Sequence, residues 1–231
     1  MRLDRMLSNA HAGTRSQVKK LVKEKRVKVN GVLAKTSSMQ IDEVNDEVTL
    51  DGIPVIYEEH MYLMLHKPAG YISATEGNVP TVMDLIYEDN NGLFPCGRLD
   101  KDTEGLLLIT NDGPLAHTLL SPKHHVEKEY YVEHALDMSE DDIVRLQSGI
   151  SYNGESYKPA KVNMISPRRC TLTITEGKYH EIKFMFQALG DKVTYLKRLR
   201  MKNLVLDESL KPGEYRYLTE EEIADLKADE Q

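Results

Sequence analysis

Apolar residues recur at helical spacing where the chain begins: Leu3, Met6, Leu7 and Ala10 fall on one side of a short predicted helix. Thr14-Arg-Ser-Gln17 has the spacing of a capping box, in which each side chain satisfies a backbone N–H of the other residue, and it predicts a second helix. Val18, Leu21 and Val22 give that helix an apolar side. Arg15, Lys19, Lys23 and Arg26, spaced 4, 4 and 3, line up as a basic ridge on another face. Val27-Lys-Val29 and Val32-Leu33 then flank Asn30-Gly31, a dipeptide that tolerates positive φ and favours a type I′ hairpin. These elements predict a small module over residues 1–58. A linker is expected from Asp51-Gly-Ile-Pro54 to Glu58-Glu-His60, where the charge changes sign.

From Met61 onward the period changes. Short strand-like runs (62–66, 106–110, 130–133, 160–164, 171–175 and 193–196) alternate with short helical ones, without the strand and long-helix rhythm of a parallel-sheet protein. Asn111-Asp-Gly113 reads as a turn between strands. Capping boxes at Thr81/Asp84, Ser139/Asp142 and Thr219/Glu222 predict helix starts, and a further helix is expected from about Tyr179 to the stop residue Gly190. The fold class expected is α+β: the small module, then a mixed, mainly antiparallel-sheet domain with a central cleft over residues 61–231.

Charge changes this picture. The 231-residue chain carries −7 overall, which on its own disfavours a polyanionic partner. The distribution reverses that inference, because residues 1–40 hold ten Lys and Arg against Asp4 and Glu24, and residues 161–202 hold ten against Glu176, Glu181 and Asp191. Two basic stretches in an acidic chain point to nucleic acid, with the ridge meeting phosphates rather than reading bases. A signal peptide and a membrane-length apolar run are both lacking, so the cytoplasm is expected and a membrane is not. Cys96 and Cys170 lack metal-ligand spacing and read as packing residues.

The segment richest in chemistry runs from Cys96 to Gly113. Its pattern alone describes a strand, a polar loop and a buried strand, with Asp100 a loop acid. Asp100 follows Arg98 and Leu99, however, and its loop is wedged between apolar runs, where a carboxylate is screened from water and in need of a cation. On the helix after Gly177, Ile182, Met185, Phe186 and Leu189 take the apolar spacing, which leaves His180, Lys183 and Gln187 off the core.

Gly97-Arg98-Leu99-Asp100 with Thr103, Gly105 and Asn111-Asp112-Gly113 resembles the signature of pseudouridine synthases. Four further segments follow in family order: Lys67-Pro68-Ala69-Gly70, Lys128-Glu129-Tyr130, Glu176 to Lys183, and Pro212-Gly213-Glu214-Tyr215. The amino-terminal module resembles the S4 RNA-binding domain, so the likeness covers nearly the whole chain. Ser121-Pro-Lys-His-His125 and Tyr179-His180 look most like the RsuA type, which acts on small-subunit rRNA. The resemblance implies isomerisation of one uridine of 16S rRNA, uridine 516, during subunit maturation. It further implies that Asp100 is the catalytic carboxylate, that Lys183 holds it ionised, and that Tyr130 stacks beneath the extruded uracil and relays its C5 proton. Arg98 is implied as a wedge or phosphate ligand, with a salt bridge of the fold as its equal alternative. Lys67 and His180 complete the expected RNA contacts beside Arg15, Lys19, Lys23 and Arg26; Lys67 is further expected to shape the site before the rigid Pro68-Ala-Gly70 turn, with a plain strand-ending turn as the equal alternative. Breaking N1–C1′ and joining C5 to the same carbon transfers nothing in, so no cofactor and no metal are expected. The partner implied is small-subunit rRNA, free or in a partly assembled 30S particle, and the chain is expected to act as a monomer.

Two positions depart from the family pattern. Glu181 stands where Gln is common and Phe184 where RsuA-like enzymes commonly have Arg, which puts in question the RNA contacts of that helix. The rival readings are a synthase acting on 23S rRNA, a noncatalytic RNA-binding assembly protein, and an RNA glycosidase. The last needs two carboxylates where one stands out.

Overall fold

The computed structural model describes residues 1–10, 12–57, 60–88 and 92–228. The chain divides into two compact units, residues 1–60 and 61–231. The first holds α1 (Leu3–Asn9) and α2 (Arg15–Lys23), followed by β1 (Val27–Val29), β2 (Val32–Leu33), β3 (Val48–Leu50) and β4 (Ile53–Pro54). The Thr14/Gln17 capping box is present, and Asn30 and Gly31 both take positive φ in the β1–β2 turn. The strands form an antiparallel sheet in the order β2-β1-β3-β4. Its core gathers Leu3, Met6, Leu7, Val18, Val22 and Val27.

The stretch expected to begin the linker is instead a hairpin. Asp51 and Gly52 adopt φ of 53° and 80° between β3 and β4, so Ile53 and Pro54 belong to the sheet, while Glu58 and Glu59 lie outside the described residues. Proline is tolerated there because β4 is an edge strand.

The second unit is built on one sheet. Its strands are β5 (Tyr62–Lys67), β6 (Phe94–Cys96), β7 (Glu104–Thr110), β8 (Lys128–His134), β11 (Lys161–Ser166), β12 (Arg169–Ile174), β13 (Val193–Met201), β14 (Leu204–Val205) and β15 (Tyr215–Tyr217). The order is β11-β12-β8-β13-β7-β5-β15, with β6 on β7 and β14 on β13. Among the described strand pairings of this sheet only β13–β7 is parallel, and outside the strands a single parallel bridge joins Ile72 to Thr81. The mixed, mainly antiparallel expectation therefore holds. A separate hairpin pairs β9 (Ile150–Tyr152) with β10 (Glu155–Tyr157).

The central strands are apolar on both faces, and successive residues alternate between two cores. Leu63, Leu65, Leu107 and Ile109 pack with Leu146 of α4 (Glu140–Ser148) and with Ile182, Met185 and Phe186 of α5 (Glu181–Ala188). Tyr62, Met64, Leu106 and Leu108 pack with Leu115 and Leu119 of α3 (Gly113–Leu120) and with Leu226 of α6 (Glu220–Lys227). Burial on both sides explains the unbroken Leu-Leu-Leu-Ile run of β7.

Three expectations change in detail. Asn111-Asp-Gly113 leads into α3 rather than into a strand: Asp112 accepts from the Leu115 N–H as N-cap, and Pro114 sits in the first turn, where its missing N–H costs nothing. The Thr81/Asp84 capping box opens only a 3₁₀ turn, Val82–Leu85. The helix expected from Tyr179 begins at Glu181, with His180 in a left-handed conformation before it.

Candidate active site

The Asp100 loop joins β6 to β7 and is fastened from three directions. Ser73 Oγ both accepts from the Leu99 N–H and donates to the Leu99 carbonyl, each at 3.0 Å. The Gly70 N–H donates to the Lys101 carbonyl at 2.7 Å, and the Thr103 N–H closes a turn on the Asp100 carbonyl. From beneath, Lys67 Nζ donates to the carbonyls of Pro68, Lys101 and Thr103 at 3.0, 3.3 and 2.7 Å. Leu99 is buried, which leaves Asp100 at the lip of the core.

Lys67 is a correction to the expected RNA contacts. Its side chain is 0% exposed, and burial pushes its pKa down to about 8 despite the nearby carboxylates of Asp102, Glu104 and Asp100. All three N–H groups of its ammonium are taken by those carbonyls, so it fastens the loop and has no donor left for RNA. Sequence alone could not distinguish this from a surface lysine, because two of the three carbonyls that hold it come from a segment over thirty residues away.

Asp100 meets Lys183 of α5, with Nζ 2.8 Å from Oδ2, while His180 Nε2 stands 3.5 Å from Oδ1. Lys183 also reaches Asp102 Oδ1 at 2.7 Å, a second carboxylate that the sequence reading did not single out. Burial works to lower the Lys183 pKa, but the hydrogen bonds to Asp100 and Asp102 outweigh it and hold the ammonium above the ordinary lysine range. The Asp102 carboxyl is likewise held low, the Lys183 contacts overcoming its desolvation. A carboxylate, its ion-paired ammonium and an imidazole thus border one cleft of about 760 Å³, lined also by Ser73, Arg98 and Tyr179. That volume is within the range of small-molecule sites.

Tyr130 of β8 is 7% exposed and does not line the large cleft. It shares with Asp100 a narrow space of about 50 Å³ and also borders a second cavity of about 480 Å³. Burial raises its hydroxyl pKa, and the neighbouring Arg198 guanidinium opposes that rise. Arg98 is exposed and lines both cavities; among the described residues it makes no hydrogen bond or ion pair, so it is not a salt-bridge residue of the fold.

Near Lys183, Glu181 turns inward. At 3% exposure its carboxylate accepts from the Gly177 and Lys178 N–H groups, both at 2.7 Å, and burial raises its pKa. Phe184 packs against Tyr152 and, with Tyr179 stacked on His180 at 3.8 Å, makes an aromatic cluster beside the cleft. Of the two departures from the family pattern, Glu181 is a structural cap and Phe184 a packing residue.

In the first unit Arg15, Lys19 and Lys23 are exposed along α2 and form no ion pair among the described residues. Arg26 lies beyond the helix and is committed to Asp51 at 2.6 Å, with Glu24 at 3.5 Å. The free ridge is therefore shorter than its spacing suggested. Arg198 was not singled out either, since a basic residue beside Lys197 and Arg200 carries no signal of burial in the sequence.

Residues 61–188 match the family model described as RNA pseudouridylate synthase, and residues 1–48 match the S4 domain. An uncharacterised RNA pseudouridine synthase of Bacillus subtilis is 49% identical, with 96% of this chain and 97% of that protein covered. Ribosomal small subunit pseudouridine synthase A of Haemophilus influenzae is 42% identical, over 98% and 99%. A crystal structure described as a pseudouridylate synthase superposes with a TM-score of 0.69 at 40% identity, over 98% of this chain and 99% of that one. With an RNA-binding domain of known type at its amino end, an ion-paired aspartate at the edge of a nucleoside-sized cleft, and relatives matched from end to end, this chain belongs to the RNA pseudouridylate synthase family and is an isomerase of RNA.

Proposed function

We propose that the chain converts one uridine of 16S rRNA, uridine 516, to pseudouridine during maturation of the small subunit, acting as a monomer in the cytoplasm on RNA or on a partly assembled 30S particle. The small-subunit assignment is supported by full-length likeness to enzymes named for that substrate. The observation that carries the chemistry is the Asp100–Lys183 pair at 2.8 Å on the cleft wall.

In this reading the target nucleotide leaves its stack and enters the cleft, which costs a few kcal/mol of lost stacking. Asp100 acts at the ribose, where a carboxylate oxygen can engage the sugar and leave again. N1–C1′ breaks, the uracil turns, and C5 bonds to the same carbon; the proton lost from C5 and the one gained at N1 balance, with Tyr130 as relay. Lys183 stabilises the carboxylate whenever it departs from the sugar. Arg98 occupies the gap left in the RNA, since a guanidinium both stacks and donates. His180 contacts the nucleotide, and Arg15, Lys19 and Lys23 hold phosphates without reading sequence.

The test is Asp100→Asn, followed by release of tritium from RNA carrying [5-³H]uridine and by mapping of the product in 16S rRNA. Turnover should vanish while RNA affinity stays within about threefold. Undiminished tritium release from the variant sinks the assignment of Asp100, and pseudouridine found at a 23S position instead sinks the assignment of the substrate.

A further inference from the structure

Arg198 and Lys128 are cations that the sheet buries without giving either a carboxylate among the described residues. Arg198 is 2% exposed and stands directly across from Tyr130 in the β13–β8 register. Its Nε donates to the Leu106 carbonyl at 2.7 Å, which fixes the plane of the guanidinium, and its Nη2 is shut away from solvent with no acceptor. Lys128, two residues before Tyr130 and on the same face of β8, donates to the carbonyls of Val126 and Glu176 at 3.0 and 3.3 Å. An ammonium has three N–H groups, so one is left over. The Glu176 carboxylate is engaged elsewhere, by the Lys158 N–H and the Lys178 ammonium.

Both cations line the 480 Å³ cavity, and so does Arg98, which continues into the cleft over Asp100. The same cavity is bordered by Phe94, Pro95 and Leu120, which are apolar. A buried donor without an acceptor, beside a second unpaired cation, is unfavourable unless something supplies negative charge and oxygen acceptors. An apolar wall beside that charge fits a nucleotide better than a bare inorganic ion. Building on the proposed reaction, we infer that this cavity receives the phosphodiester adjoining the target uridine, with its oxygens on Arg198 and Lys128 and the neighbouring nucleoside against Phe94 and Leu120. The target would then be gripped through the charge next to it.

The test alters the RNA first. A target-containing rRNA fragment is made with a methylphosphonate, which deletes one charge while keeping the size, at each phosphate flanking the uridine and at one several nucleotides away. Wild-type affinity should fall roughly tenfold or more at one flanking position, the scale of a lost charge-assisted hydrogen bond, and less than twofold at the remote position. In Arg198→Met and Lys128→Met the same flanking substitution should lose most of its effect. Arg198→Lys, which keeps the charge with fewer donors, should be intermediate. Equal effects at flanking and remote phosphates, or an undiminished flanking effect in a folded Arg198→Met protein, overturn the inference; the wild-type arm decides even if a variant does not fold. Isomerisation is followed in parallel. A protein that turns over without flanking dependence loses only the phosphate site, whereas one that shows the dependence but forms no pseudouridine loses the proposed reaction.

Discussion

Lys183 serves two carboxylates from one ammonium, 2.8 Å from Asp100 and 2.7 Å from Asp102. Removing it leaves two acids of one loop without the ammonium between them, and Lys183→Met should lower kcat by roughly 10²- to 10³-fold, as for loss of a single preorganised electrostatic partner. Tritium release under saturating RNA measures this, and near-normal kcat would exclude Lys183 from the reaction. Glu181 gives a prediction in pH. Burial raises its pKa in the folded protein, so between the unfolded and folded values the native state binds more protons than the unfolded one, and stability falls as pH rises through that window. Above it the buried charge remains a cost. Glu181→Gln keeps an oxygen for the Gly177 and Lys178 N–H groups without the charge, and should stabilise by about 1 kcal/mol at neutral pH. Below the unfolded pKa the two proteins should unfold alike. Urea titrations at pH 4 and pH 7 check this, and a pH-independent difference would contradict it.

Among the elements, the parallel contact between β7 and β13 has the least tolerance. A Cβ on Gly105 would stand 2.2 Å from the Arg198 carbonyl oxygen and 2.7 Å from its nitrogen, both backbone atoms, at a φ of +105°. Gly105→Ala should therefore destabilise by about 3 kcal/mol or more, since neither strand can yield without opening the sheet. Gly154→Ala, where φ is also positive but nothing lies within 4 Å, should cost only about 1 kcal/mol. Urea midpoints compare the two, and similar losses would show that strand approach is not what requires Gly105. Legibility followed the same division between local and distant causes. The Asn30-Gly31 hairpin and the capping boxes at Thr14, Ser139 and Thr219 were readable because the partner lies within a few residues. Helix α3 was missed because Gly113 and Pro114 serve a helix start as well as a turn. The Asp51-Gly52 hairpin was mistaken for a linker because pairing of β4 depends on β3 and not on its own composition. The Asp100–Lys183 pairing was read from family likeness, whereas Lys67 and Arg198 became interpretable only once the sheet had brought their distant neighbours to them.

At the scale of the whole molecule, an acidic chain keeps a basic stretch in each unit. If Arg15, Lys19 and Lys23 each neutralise a phosphate, changing all three to Gln should lower the slope of log affinity against log salt by about 2–3 and leave kcat at saturating RNA within twofold. Arg26→Gln should change the slope little, because that guanidinium already belongs to Asp51. Binding titrations from 50 to 200 mM salt measure both, and equal effects would mean that the Arg26 pair opens on RNA. The fastening of the Asp100 loop by Ser73 and Lys67 has a consequence for how affinity is used. Because the chain organises this loop through its own carbonyls and hydroxyl, RNA has no ordering entropy to repay there. Its contact energy is free to drive extrusion of the nucleotide instead.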